Sequence, residues 1–141
     1  MTKRMDETQI HRIRGILEEL QETISDTRAV FCLDKAGLII DEIGLDGLGR
    51  DSAGELVNLV VTMFGKAKKL SLDILGDSWG YAGFIGDRSY LLLGLVGDYA
   101  ILGLLVDRSE GKTINLTREY LEIFSKYSKE LAQLLQMLSA L

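Results

Sequence analysis

Residues 55–75 read ELVNLVVTMFGKAKKLSLDIL, and this stretch decides what the rest of the chain must be. At about 100° per residue, Leu56, Val60, Met63, Ala67, Leu70 and Ile74 fall on one stripe of a helix, and Val57, Val61, Phe64, Leu72 and Leu75 on a second stripe beside it. Only Asn58, Thr62, Lys66, Lys69 and Asp73 make a consistently polar edge. A helix docked on one core needs an apolar arc of about 100°, and this one covers roughly twice that. The surplus side has to meet something else, and a protein partner is the expectation.

Upstream, Asp6 and Gln9 form a capping-box pair, and Ile10, Ile13, Leu17, Leu20 and Ile24 recur at steps of three and four, the mark of an amphipathic first helix. Ala29 to Leu33 and Leu38 to Ile43 are short apolar runs joined by Asp34-Lys35-Ala36-Gly37, whose leading acid and closing glycine suit a hairpin turn. Gly44 to Gly54, with glycine at 44, 47, 49 and 54, predicts a loop, and Ser52 with Glu55 a second capping box that starts the wide-faced helix. Gly76 fits that helix's C-terminal cap.

Downstream, Gly-Asp pairs at 76–77, 86–87 and 97–98 punctuate three strands, approximately Trp79–Ile85, Tyr90–Val96 and Ala100–Val106. The last two are nearly continuous in Leu, Ile and Val, which requires a sheet covered on both faces. After a polar connection, residues 116–141 predict a long helix with Leu121, Phe124, Leu131, Leu135 and Leu138 on one stripe, flanked by Tyr120, Ile123, Tyr127, Leu134 and Met137. The order is α-β-β-α-β-β-β-α, an α+β fold: an α/β sandwich whose five-stranded, mainly antiparallel sheet has helices on both faces. With 141 residues, no proline, no internal repeat and no linker, a single domain over 1–141 is expected.

Apolar residues at 47% and charged residues at 26% are a globular balance, and a net charge of -5 with a pI near 4.9 argues against nucleic acid. Lys66, Lys68 and Lys69, the tightest basic group, read as a solvated helix edge. Cys32, the single cysteine, sits between Phe31 and Leu33 and reads as a small buried hydrophobe in a reducing compartment. Met1 to Arg14 is polar where a signal peptide would be apolar. The run from Leu91 to Val106 is broken at Gly97-Asp98 and falls short of the roughly 18 to 20 residues that cross a bilayer. A cytoplasmic protein without membrane insertion is expected.

Chemistry is hard to assemble from these residues. His11 is the only histidine and lies far from Cys32 in sequence, so a zinc site with its three or four N and S ligands is not expected. Gly47-Leu48-Gly49 begins like a dinucleotide loop, but the next glycine comes at 54, and Gly111-Lys112-Thr113 resembles the end of a P-loop with Val106 where the first glycine belongs. Asp46 to Asp51 lacks the ligand pattern of a calcium loop. Asp41 and Glu42 are adjacent in a strand and so point to opposite faces, which separates them as an acid/base pair. No catalytic residue, cofactor or metal is expected, and the chain is not read as an enzyme.

The element order, with the segments Val30 to Ile40 and Leu95 to Asp107, resembles the Roadblock / dynein light chain domain family, in the style of its MglB-type prokaryotic members. The resemblance spans about residues 6 to 138 and rests on structural pattern rather than on a catalytic signature. It implies a profilin-like sheet with the first and last helices on one face and the middle helix on the other. It also implies a homodimer that joins sheets edge to edge and sets the middle helices side by side. On that implication Val57, Val61, Phe64 and Leu72 meet their twins, with Trp79, Tyr81 and Gly83 on the joining strand. The family further implies a Ras-like small GTPase as partner, its switch loops repositioned by the dimer; by their position on the polar edge of the wide helix, Gly54, Asn58, Thr62, Lys66 and Lys69 are the expected contact residues. No arginine on the middle helix is expected to act as an arginine finger, so any acceleration of hydrolysis should be indirect. Two alternatives stand beside this: a scaffold subunit indifferent to the nucleotide, and a small-molecule sensor using the glycine-rich loop as a pocket.

Overall fold

Strand alternation divides the apolar residues of this chain between the two faces of one sheet, and the helices follow from that division. The computed structural model describes residues 6–77, 80–107 and 118–139. In order it contains α1 (Glu7–Thr23), β1 (Thr27–Asp34), β2 (Ile39–Ile43), a 3₁₀ turn (Leu45–Leu48), α2 (Arg50–Lys69) continued by a π-helical turn (Leu70–Leu75), β3 (Tyr81–Ile85), β4 (Ser89–Val96), β5 (Ala100–Asp107) and α3 (Arg118–Ser139). The strands form one antiparallel sheet in the order β2-β1-β5-β4-β3.

One face buries Val30, Cys32, Leu92, Val96, Leu102 and Leu104 against Ile13, Leu17 and Leu20 of α1 and Phe124, Leu131 and Leu134 of α3. The other buries Ala29, Phe31, Leu33, Leu93 and Ile101 against Val57, Val60 and Phe64 of α2. Successive residues of β1 alternate between these two cores, so every one from Ala29 to Leu33 is buried although none of the strand is hidden twice. This is the covered sheet that the continuous apolar runs require.

Local chemistry fixes the ends. The capping box forms at Asp6, whose carboxylate accepts from the Gln9 N–H at 2.8 Å while the Gln9 side chain accepts from the Asp6 N–H at 3.0 Å. Asp34 Oδ1 accepts from both Ala36 and Leu38 N–H, and Gly37 takes φ +91° to close the β1–β2 turn. Gly76 ends the π-helical turn at φ +63°.

Three expectations need correction. No capping box forms at Ser52, because α2 has already begun at Arg50 with Gly49 as its N-cap at φ +88°, a conformation that serine adopts only with strain. The Gly44 to Gly54 loop therefore shrinks to a 3₁₀ turn. In consequence the middle helix does carry an arginine, Arg50, exposed in its first turn. The expected strand start at Trp79 and the helix start at Leu116 lie outside the described residues.

Candidate functional site

The outer side of α2 and the free edge of β3 both present apolar residues to solvent. Within α2, Val57, Val60 and Phe64 are 5%, 0% and 8% exposed, so they are spent on the chain's own core. The stripe expected to face a twin is thus misassigned: Val57 and Phe64 point inward. Val61 is half-buried, and its Cγ2 lies 3.4 Å from where a Cβ on Gly37 would stand, which turns that flank toward the β1–β2 turn. On the opposite flank Leu56 and Met63 pack on the same core as Ala82 of β3 and Leu91 of β4. That flank carries Leu56 and Met63, half-buried, and Leu59 and Leu70, 58% and 42% exposed.

Past Lys69 the polarity of the helix inverts. Ser71 is the buried residue of the π-helical turn, its hydroxyl donating to the Lys68 carbonyl at 3.1 Å and its own carbonyl accepting from the N–H groups of Gly76 and Asp77. Leu72, Ile74 and Leu75 are 47%, 72% and 57% exposed. A π turn advances each residue by a smaller angle than an α turn, so a 100° wheel carried through residue 70 assigns these leucines to the wrong sides. That drift, with the unexpected start at Arg50, explains why two stripes seemed equally apolar.

Gly54, Asn58, Thr62, Lys66 and Lys69 are all exposed and share an outward arc about 120° wide at 100° per residue. The Thr62 hydroxyl donates back to the Asn58 backbone carbonyl at 2.9 Å. The structure brings these five residues onto one surface.

At the sheet's end, β3 pairs with β4 alone and has no charged side chain in Tyr81–Ile85. By register, Phe84 shares the α2 face with Ala82, while Tyr81, Gly83 and Ile85 share the α1/α3 face. Phe84 and Ile85 are 47% and 53% exposed. The Tyr81 ring meets Phe124 edge-on at 5.9 Å, which seats the strand against α3, and Gly83 is exposed. Sequence reading passed over Leu59, Phe84 and Ile85. The available signal was their place in elements whose other apolar residues already fill a core.

Reactive groups are held quiet. Burial, helped by Asp41 and Asp34, pushes the Cys32 thiol up to about 12, so it stays protonated and a poor nucleophile. His11 is exposed on α1. Among the described residues no group of three His, Cys, Asp or Glu could hold a metal ion, and no helix is long and apolar enough to cross a membrane.

This architecture, a five-stranded antiparallel sheet between an α1/α3 layer and a lone α2, is the Roadblock/LC7 fold. The chain is similar in structure to MglB from Myxococcus xanthus, with a TM-score of 0.78 at 20% identity and 96% of each chain covered. It is also similar to the gliding protein MglB from Thermus thermophilus, at TM-score 0.74 and 20% identity over 92% of this chain and 93% of that one. A Roadblock/LC7 domain from Streptomyces avermitilis follows at 0.71 and 18%, covering 86% and 96%. No protein-family model and no curated protein matches the chain.

Proposed function

We propose that this protein is a homodimeric regulator that docks a Ras-like small GTPase on its paired α2 helices and biases the switch regions by position. The observation that carries the reading is the unspent surface: an uncharged, exposed β3 edge beside an apolar α2 flank, both on the same side of the molecule. A twin's β3 satisfies the edge N–H and C=O groups, and its α2 covers Leu56, Leu59, Met63, Leu70 and Phe84. Within this pairing Leu72, Tyr81 and Gly83 keep an interface role, and Val57 and Phe64 support it from beneath.

The charges of α2 favour an antiparallel pair. Asp51 and Glu55 outweigh Arg50 at its start and Lys66, Lys68 and Lys69 stand at its end, so two copies side by side in opposite senses match net acid to base at both ends. Above that seam the arc of Gly54, Asn58, Thr62, Lys66 and Lys69 offers a polar docking surface. The similarity to MglB structures supports a partner of the GTPase class. On this reading regulation acts by selecting a switch conformation.

The test is single-turnover GTP hydrolysis and complex formation with the small GTPases of the source organism. The reading expects binding that differs between GTP and GDP forms, abolished by Asn58→Glu with Thr62→Glu while the dimer persists. Arg50→Ala should leave the rate intact. Absence of binding to any GTPase overturns the proposal, and equal affinity for both nucleotide forms replaces it with a scaffold subunit.

A further inference from the structure

On the sheet face opposite α2, α3 packs over β4, and beside it a groove opens toward the edge strand β3. Tyr81 and Leu121, 42% and 38% exposed, give it an apolar floor, and Glu122, Ser125, Lys126 and Lys129 line it, around a volume of about 640 Å³. The edge-on contact with Phe124 holds the Tyr81 ring in that floor. The Lys126 Nζ lies 5.2 Å above the ring of its neighbour Tyr127.

We propose that this groove seats an amphipathic helix of a second partner protein, apolar along one stripe and acidic along its flanks. The charge follows from the rim. Lys126 and Lys129 are exposed three residues apart on one face of α3, against one acid, Glu122, among the described lining residues, in a chain whose net charge is -5. The helical form follows from hydrogen bonding. Once β3 is paired with a twin, the groove offers side chains only, so an occupant must bring a backbone already satisfied within itself. Tyr81 belongs to the joining strand, so in the dimer two such grooves run toward each other across the seam. Their position behind the sheet leaves α2 free, and one dimer can hold a GTPase in front and an adaptor helix behind.

The helical form and the doubled length rest on the dimer proposed above; the lysine rim does not. The test uses the full chain and two fluorescent 18-residue helical peptides, each with a leucine stripe, one flanked by glutamates and the other by lysines. Anisotropy should show the glutamate peptide binding at least tenfold tighter. Lys126→Glu with Lys129→Glu should cost it about tenfold, and Leu121→Glu should remove it, with GTPase binding unchanged. Equal binding of the two peptides, or binding indifferent to both variants, overturns the proposal. So does a light-scattering mass of four chains that falls to two in Leu121→Glu, because the groove then seats another dimer. A single-chain mass would count against the dimer alone, while the peptide preference still decides the groove.

Discussion

The two free edges of the sheet are equally long and oppositely defended. β2 (Ile39–Ile43) contains Asp41 and Glu42, runs beside a register shift between Cys32 and Leu33, and is pinned to α1 by Arg14. That guanidinium donates to Asp41 Oδ1 at 3.0 Å and to the Glu42 carbonyl at 2.6 Å. β3 (Tyr81–Ile85) has no charged residue, pairs with β4 alone among the described residues, and its large side chains stand half in solvent. Acids, an irregularity and a side chain bonded across the edge are devices by which sheets avoid pairing, and among the described residues β3 shows none of the three. Edge strands of the same size can therefore carry opposite instructions.

Charging the open edge should break the contrast most strongly. Leu59→Glu with Phe84→Glu should weaken the dimer at least about 100-fold and give a single-chain mass at micromolar concentration by light scattering. Next is the seat of β3. A Cβ at Gly94 would collide with the Phe124 ring and lie 3.1 Å from that of Tyr81. Gly94→Ala should therefore cost about 1–3 kcal/mol in denaturant unfolding and loosen the dimer as well. The converse change strips the guarded edge: Asp41→Thr with Glu42→Thr should produce species larger than two chains at tens of micromolar, seen as a rise in scattering mass. Arg14→Ala alone should cost only about 1 kcal/mol or less, since the ion pair is largely exposed.

Titration should leave the contrast between the edges untouched. The Cys32 thiol and the Tyr90 phenol are both pushed up to about 12, chiefly by burial, from ordinary values of 9.0 and 10.0. Below about pH 8 both are neutral whether folded or unfolded. Above it the unfolded chain ionises first, so stability falls between pH 9 and 12 and is lost as the buried groups themselves titrate. Thermal melts should record that fall equally in wild type and in the edge variants.

What was legible in the sequence was whatever short-range chemistry determines. The Asp6–Gln9 box, the Asp34 turn with its left-handed Gly37, the Gly76 cap and the three-strand meander all depend on residues within a few positions of each other. The doubly apolar helix was legible as an excess, but not in its direction. Which side of α2 meets the sheet depends on where β1, β4 and β5 place Phe31, Leu93 and Ile101, and a helical wheel contains no such information. The wheel also assumes a constant winding, which Leu70–Leu75 does not keep. Ser52 and Glu55 matched a capping pattern inside a helix that Gly49 had already started.

One feature of the central strands reaches further than this chain. The Phe31 ring occupies the space into which a Cβ on Gly103, its cross-strand neighbour in β5, would project. The two positions, 31 and 103, share one allotment of volume, and enlarging one obliges the other to shrink. Chains of this fold with alanine or valine at the site of Gly103 should hold something smaller than a phenyl ring opposite it, so that two distant codons drift as a single unit.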